Sequence, residues 1–254
     1  MTLSLRHCGV GLALILSLTG CSGLQRLESA ATPSELYALT PKSTFSSGLP
    51  NLSQQLVVEV PTATAAVNTD QIAVQPSALR VQYLPGARWV DRVPLFVQAL
   101  LIESFENSNR VPAVGGSGIG LRADYFITSN IREFQASLPA NATAETPLRI
   151  QVQISVKIVD ADVDRIFASR SFNEYATAAS DAAADVAAAF DEALGDVMRD
   201  AVEWSIRSIH SYASEKERQA VQDRRPEPRP SPLDAPAAAP EPAPAPETAQ
   251  DSDS

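Results

Sequence analysis

Leu148-Arg149-Ile150-Gln151-Val152-Gln153-Ile154-Ser155-Val156-Lys157-Ile158 alternates apolar and polar side chains without a break. A period of two places every apolar residue on one face of a strand and every polar residue on the other. Asp160 to Asp164 then reads as a turn, and Arg165 to Tyr175 returns with Ile166, Ala168 and Phe172. The pair is an antiparallel hairpin with one wet face, and its dry face needs a second layer. Two helical patterns supply that layer. From about Asp181 to Ile209, Val186, Phe190, Leu194, Val197, Ala201 and Trp204 recur at steps of three and four. Upstream, Pro94 falls in a first helical turn, where its missing donor is not needed, and Leu95 to Asn107 follows with Leu95, Ala99, Ile102 and Phe105 at helical spacing, Phe96 and Leu100 widening the stripe and Gln98, Glu103 and Glu106 on the other side.

Shorter strands fill the space before and between. Leu36 to Leu39 ends at Thr40-Pro41, and Gln55 to Val60 ends at Pro61. Ile72 to Val74 and Leu79 to Leu84 read as two strands split by Gln75-Pro76-Ser77, with Pro85-Gly86 as a turn. Arg110 to Val114 is Pro-interrupted and fits an edge strand, Gly115 to Gly120 is a mobile glycine loop, and Tyr125 to Phe134 alternates except around Ser129-Asn130, where a bulge fits. The expected fold is α+β: a mainly antiparallel sheet of about five to seven strands with both helices packed on one face. From Glu215 the sequence turns charged, then rich in Pro, Ala and Glu to Ser254. Such a tail buries too little apolar surface to offset its ordering entropy and is expected to be disordered.

The N-terminus reads differently. A short segment with Arg6 and His7, then the apolar run Val10 to Leu18, has the form of a secretory signal, too short for a spanning helix. Leu18-Thr19-Gly20-Cys21 resembles the lipobox of bacterial lipoprotein precursors. That resemblance implies cleavage before Cys21, a diacylglycerol thioether on its sulfur and often a palmitate-type acyl chain on the new amino group. It divides the chain into a signal peptide at 1–20, a lipidated tether at 21–33, a folded domain at 34–212 and the tail at 213–254. By the lipoprotein sorting rule, Ser22, which is not Asp, points to the outer membrane.

Several function classes then fall away. Losing the leader removes one cation and no acid, taking the formal net charge from −10 to −11, so the surface gains nothing from nucleic-acid phosphates. Cys8 leaves with the leader and Cys21 becomes a thioether, so no thiol remains for a disulfide, a thiolate nucleophile or a zinc site. His210 is then the only histidine, which excludes Ser-His-Asp and Cys-His catalysis unless it acts alone. Gly115-Gly116-Ser117-Gly118-Ile119-Gly120 lacks the Lys-Ser/Thr of a phosphate loop, with Leu121-Arg122 in its place. Asp160, Asp162 and Asp164 match the first ligands of a calcium loop, but Arg165 and Ser171 stand where Gly and Glu are required, leaving a solvated turn. No catalytic residue, metal site or cofactor is expected.

Residues 34 to 209 resemble the ABC-type transport auxiliary lipoproteins, partners of Mce-type lipid transport systems. The resemblance is carried by Thr69-Asp70-Gln71-Ile72-Ala73-Val74, Leu79-Arg80-Val81-Gln82-Tyr83, Ala87-Arg88-Trp89-Val90-Asp91, the stretch Pro94 to Arg110, and Asp124-Tyr125-Phe126-Ile127 with Ile131-Arg132-Glu133-Phe134-Gln135. It implies a non-enzymatic, periplasm-facing component, held to a membrane by its lipid, that binds the Mce-domain protein, the ABC permease and ATPase complex, phospholipid, or several of these. The alternative is a structural envelope lipoprotein bridging membrane and cell wall, to which the acidic tail is the only pointer. For contact with a partner, the segment Tyr83 to Asp91 stands out, since Tyr83, Arg88 and Trp89 are types enriched at interface hot spots and Asp91 closes the segment. Trp89 has a second open role, covering the end of the core beside Pro94.

Overall fold

The computed structural model describes residues 33–138 and 147–224. Within them nine strands form one sheet: β1 (Glu35–Tyr37), β2 (Gln55–Val58), β3 (Thr62–Ala63), β4 (Gln71–Ser77), β5 (Arg80–Trp89), β6 (Ala113–Gly116), β7 (Tyr125–Ser137), β8 (Arg149–Asp160) and β9 (Arg165–Thr177). Helix α1 (Val93–Asn107) lies between β5 and β6, and α2 (Ala183–Asp223) follows β9.

Strand β7 is the spine. On one edge it pairs antiparallel with β8, which pairs antiparallel with β9. On the other edge three short parallel partners succeed one another: β2 at Tyr125–Ile127, β3 at Asn130–Ile131 and β4 at Ala136–Ser137. Outside these, β6 runs parallel to β2, β5 antiparallel to β4, and β1 parallel to the last three residues of β5. The sheet is mixed, with its long ladders antiparallel and its parallel ones two to four residues long. The sheet exceeds five to seven strands because the short runs read at 36–39 and 110–114 both pair, as β1 and β6, and because β3, two residues long, is too short to show a period.

Alternation in β8 works as its spacing requires. Ile150, Val152, Ile154, Val156 and Ile158 are all buried, opposite Ala136, Phe134, Ile131, Ser129 and Ile127 of β7. Each such side chain contributes about 1.5–3 kcal/mol through removal from water. Both helices cover this same face. The Phe134 ring on β7 lies 5.8 Å from Phe96 of α1 and 4.8 Å from Phe190 of α2. The opposite face carries polar ladders: Gln151 donates to Asn173 and Tyr175, the Ser155 and Ser171 hydroxyls are 2.5 Å apart, and Arg149 sits over the Tyr175 ring.

Four local expectations change. The buried stripe of α1 is Phe96, Val97, Leu100, Leu101, Ser104 and Phe105, while Leu95 and Ala99 face out. So many apolar residues widen the stripe that spacing alone cannot fix its edges. The two strands expected at 72–74 and 79–84 are one hairpin turning at Ala78–Leu79; Pro76 sits inside β4 at a register shift, and Pro85-Gly86 is an irregularity within β5, with Gly86 at φ +72°. The bulge in β7 comes between Ile131 and Glu133, not at Ser129-Asn130. Gly115 and Gly116 belong to β6 and pair with β2; a Cβ on Gly116 would come within 3.3 Å of the Gln98 amide, which donates to the Val58 carbonyl at 2.9 Å.

The turn after β8 also differs from a solvated one. The Asp160 carboxylate is fully buried and accepts the Asp162 amide at 2.9 Å, while Asp164 takes φ +50° to close the hairpin. Helix α2 runs past Ile209 to Asp223, taking in residues that composition assigns to the tail. Between Ile209 and Pro226 there is neither Gly nor Pro to stop it. A second compact unit begins at Ser214; its described residues, 214–224, are helical to Asp223 and exposed from Glu215 onward. The remaining tail, 225–254, lies outside the described residues, as does the leader with Cys21.

The irregular segment after β1 is fixed by acids of α2. The Thr40 amide and hydroxyl donate to Asp191 at 2.6 and 2.9 Å, Lys42 pairs with Asp196 at 3.4 Å, and the Ser46 amide and hydroxyl donate to Glu203 at 2.7 and 2.8 Å. The Lys42 amide also donates to the buried Ser104 hydroxyl of α1 at 3.0 Å. At Glu203, partial burial raises the carboxyl pKa, but the Ser46 amide and hydroxyl and the Arg207 guanidinium outweigh it, leaving a net lowering. A folded-state pKa below the unfolded one gives stability that is present above the unfolded value, about 4.3, and lost as pH falls through the folded one. Glu203→Gln is therefore expected to cost about 1 kcal/mol in urea melts at pH 7 and clearly less at pH 3. An equal loss at both pH values would reject this account.

Candidate functional site

Two surfaces offer chemistry: a polar recess beside β7, and the corner where β1 and the β4–β5 hairpin meet. The recess, about 350 Å³, opens where Pro61 separates β2 from β3. It is lined by Glu59, Thr62, Thr128, Asn130, Arg132 and Lys157, among others. Arg132 occupies the bulge of β7, which turns its side chain out of register, and Lys157 is the register partner of Thr128. Asn130 donates to the Thr62 hydroxyl at 2.8 Å. Hydroxyls, an amide and charges of both signs suit small polar groups, with Val60 the one apolar side chain in the lining.

The corner contains all four residues singled out for partner contact, and the structure separates them. Trp89 is 1 % exposed. Its ring meets Phe96 at 5.8 Å, Phe134 at 5.9 Å and Phe190 at 5.1 Å, the last edge-on. It joins β5, α1, β7 and α2, so it is a core residue and is removed from any contact surface. Its position in the strand decides this, since Ala87 and Trp89 share the inward face of β5. Its indole N–H has no acceptor among the described residues.

Tyr83, Arg88 and Asp91 remain outside. The Tyr83 hydroxyl donates to the Ala66 carbonyl at 3.3 Å. Arg88 pairs with Asp70 at 3.0 Å, and that guanidinium lowers the Asp70 carboxyl below its ordinary value. Asp91 accepts the Arg92 amide at 2.7 Å, just before α1 begins. What spacing did not reveal is the apolar company they keep. Leu79, fully exposed at the hairpin tip, and Val81, Leu36 and Val90, each about half exposed, surround Tyr83 and Arg88. The signal was available in Leu79-Arg80-Val81-Gln82-Tyr83, but an alternating pattern there reads as a half-buried strand, and only the fold shows Leu79, Val81 and Tyr83 exposed among the described residues.

No helix among the described residues is long and apolar enough to cross a membrane. His210 is exposed on α2.

Residues 37–202 match the family described as ABC-type transport auxiliary lipoprotein component. The match runs from the last residue of β1 into α2, taking in β2 to β9, α1 and the first half of α2. An uncharacterised protein of Bradyrhizobium diazoefficiens is 28% identical over 194 residues, covering 74% of this chain; the chain spans about half the length of that relative. Among solved structures, a protein of Xanthomonas campestris superposes with a TM-score of 0.65 at 25% identity, over 71% of this chain and 99% of that one. A second, uncharacterised protein reaches 0.50 at 9% identity, over 66% and 97%, a likeness of fold alone.

Proposed function

We infer the function from one premise: this chain belongs to the ABC-type transport auxiliary lipoprotein component family. Its role is that of a lipid-anchored, periplasm-facing accessory of an Mce-type ABC system, holding the substrate-carrying Mce protein and the permease in working register. It performs no chemistry of its own. The observation that carries this reading is the family match itself, which runs from the end of β1 through β9 and α1 into the first half of α2. Cys21 is the lipidated residue, and Ser22 behind it directs the protein to the outer membrane, facing inward. Phospholipid is the cargo of the assembled system.

Affinity purification of the tagged full chain from detergent-solubilised envelope tests this. Mce-domain, permease and ATPase subunits are expected in the eluate by mass spectrometry. Recovery with wall-associated proteins alone, and none of these subunits, would replace the reading with that of a structural envelope lipoprotein.

A further inference from the structure

Exposed apolar side chains are unevenly placed on this domain. Leu36, Leu79, Val81, Tyr83 and Val90 belong to β1, to the β4–β5 hairpin or to the residue after it. Strand register puts four of them on one face. Ile72 is buried in the core, so Ala73 and its partner Tyr83 point to the other face, and Val81 joins Tyr83 two residues away. Ala87 and Trp89 point inward, so Arg88, its partner Leu36, and Val90 share the face of Tyr83. Leu79 stands at the tip beside them. β1 pairs with β5 only at Ala87–Trp89, and no described strand covers the outer edge of residues 80–86.

We propose that this corner seats on the surface of the bilayer that holds the lipid anchor. The proposal rests on the lipoprotein reading of Cys21. From Cys21 to Glu35 is fourteen residues. Fully extended, they reach about 48 Å, and as a flexible coil they average about 20 Å. A domain of this size has a radius of gyration of about 16 Å. A span of that length keeps the edge where β1 enters the sheet within reach of the membrane, and it is the edge that carries the apolar cluster. Its composition suits a lipid surface: Leu79 and Val81 enter the acyl boundary, Tyr83 lies at headgroup depth, and arginines reach outward from apolar stems. Charge agrees. The chain is strongly acidic, which anionic headgroups repel, but here Arg80, Arg88 and Arg92 offset Glu35, Asp70 and Asp91.

Acylation of Cys21 leaves the mature chain without a free thiol, so Leu79→Cys and, at the β8–β9 turn, Val163→Cys each take a single fluorescent label. The purified lipidated protein is placed in phosphatidylethanolamine–phosphatidylglycerol vesicles carrying a lipid-borne spin-label quencher. The label at residue 79 should be quenched at least about twofold more than the label at 163, and Val81→Asp should abolish the difference. Equal quenching at both sites overturns the proposal. So does a label at 79 that is silent on vesicles but shielded when the solubilised transport complex is added, because the corner is then a protein-docking surface. A purified chain whose Cys21 is shown by mass spectrometry to be unmodified, and which fails to float with vesicles, overturns the lipoprotein reading and this proposal with it.

Discussion

Trp89→Ala lowers the melting temperature by roughly 10 °C, the largest loss expected from a single side chain in this domain. Removing a fully buried aromatic costs about 3–5 kcal/mol, counting both transfer and the cavity left behind. At about 2–4 °C per kcal/mol for a domain of this length, that is a shift of this order. Trp89 is 1 % exposed and its ring contacts Phe96, Phe134 and Phe190, so the cavity opens where β5, β7, α1 and α2 converge. Trp89→Phe should cost much less. It keeps most of the ring and removes a buried N–H that has no acceptor among the described residues, a group whose burial itself costs about 1–3 kcal/mol. Thermal melts followed by far-UV circular dichroism decide the matter. A loss below about 3 °C for Trp89→Ala would mean the four elements do not depend on this ring. The same experiment explains in advance why Trp89→Ala is a poor probe of partner binding, since any lost co-purification would follow from the fold.

Cys21→Ser removes the protein from the mature, membrane-held pool. Acyl chains contribute about 0.8 kcal/mol per buried methylene, and one chain alone holds only reversibly, so the two or three carried by such a cysteine are the whole anchor. The domain has no substitute among its described residues, where no helix can span a bilayer. The contact proposed for the β1–β5 corner is a docking contact, too small to retain the chain against dilution. Fractionation of cells should find the variant soluble or as uncleaved precursor, and the parent chain at outer-membrane density on a sucrose gradient. A Cys21→Ser protein that is cleaved and still sediments with membranes would refute lipid anchoring at this residue; a parent chain found wholly at inner-membrane density would refute the sorting argument from Ser22.

What the sequence made legible was set by length and period. The long β7–β8–β9 ladders and the core face of α2 follow from alternation and helical spacing sustained over ten residues or more, because only there does one register outscore its neighbours. β3 has only two residues, so its existence depends on an edge of β7 being available, a tertiary fact. The inner side of α1 was legible only in part: Phe96, Leu100 and Phe105 are buried as the stripe requires, but so many apolar residues widen it that Leu95 and Ala99 were drawn in wrongly. At the candidate site, residue type correctly drew attention to the β5 segment but could not separate Trp89 from Tyr83 and Arg88. That separation depends on the inward parity of Ala87 and Trp89, which the irregularity at Pro85-Gly86 resets within the strand.

The segment from Thr40 to Ser46 gives the anchored domain a mechanical property. Any pull arriving along the tether meets β1 first, where three residues lie alongside β5. Beyond β1 the chain does not hang free; it is riveted in turn to Asp191, Asp196 and Glu203 of α2 and to Ser104 of α1. Tension from a moving membrane is therefore shared between the sheet and the helices, and must peel these contacts one after another before it reaches the aromatic core.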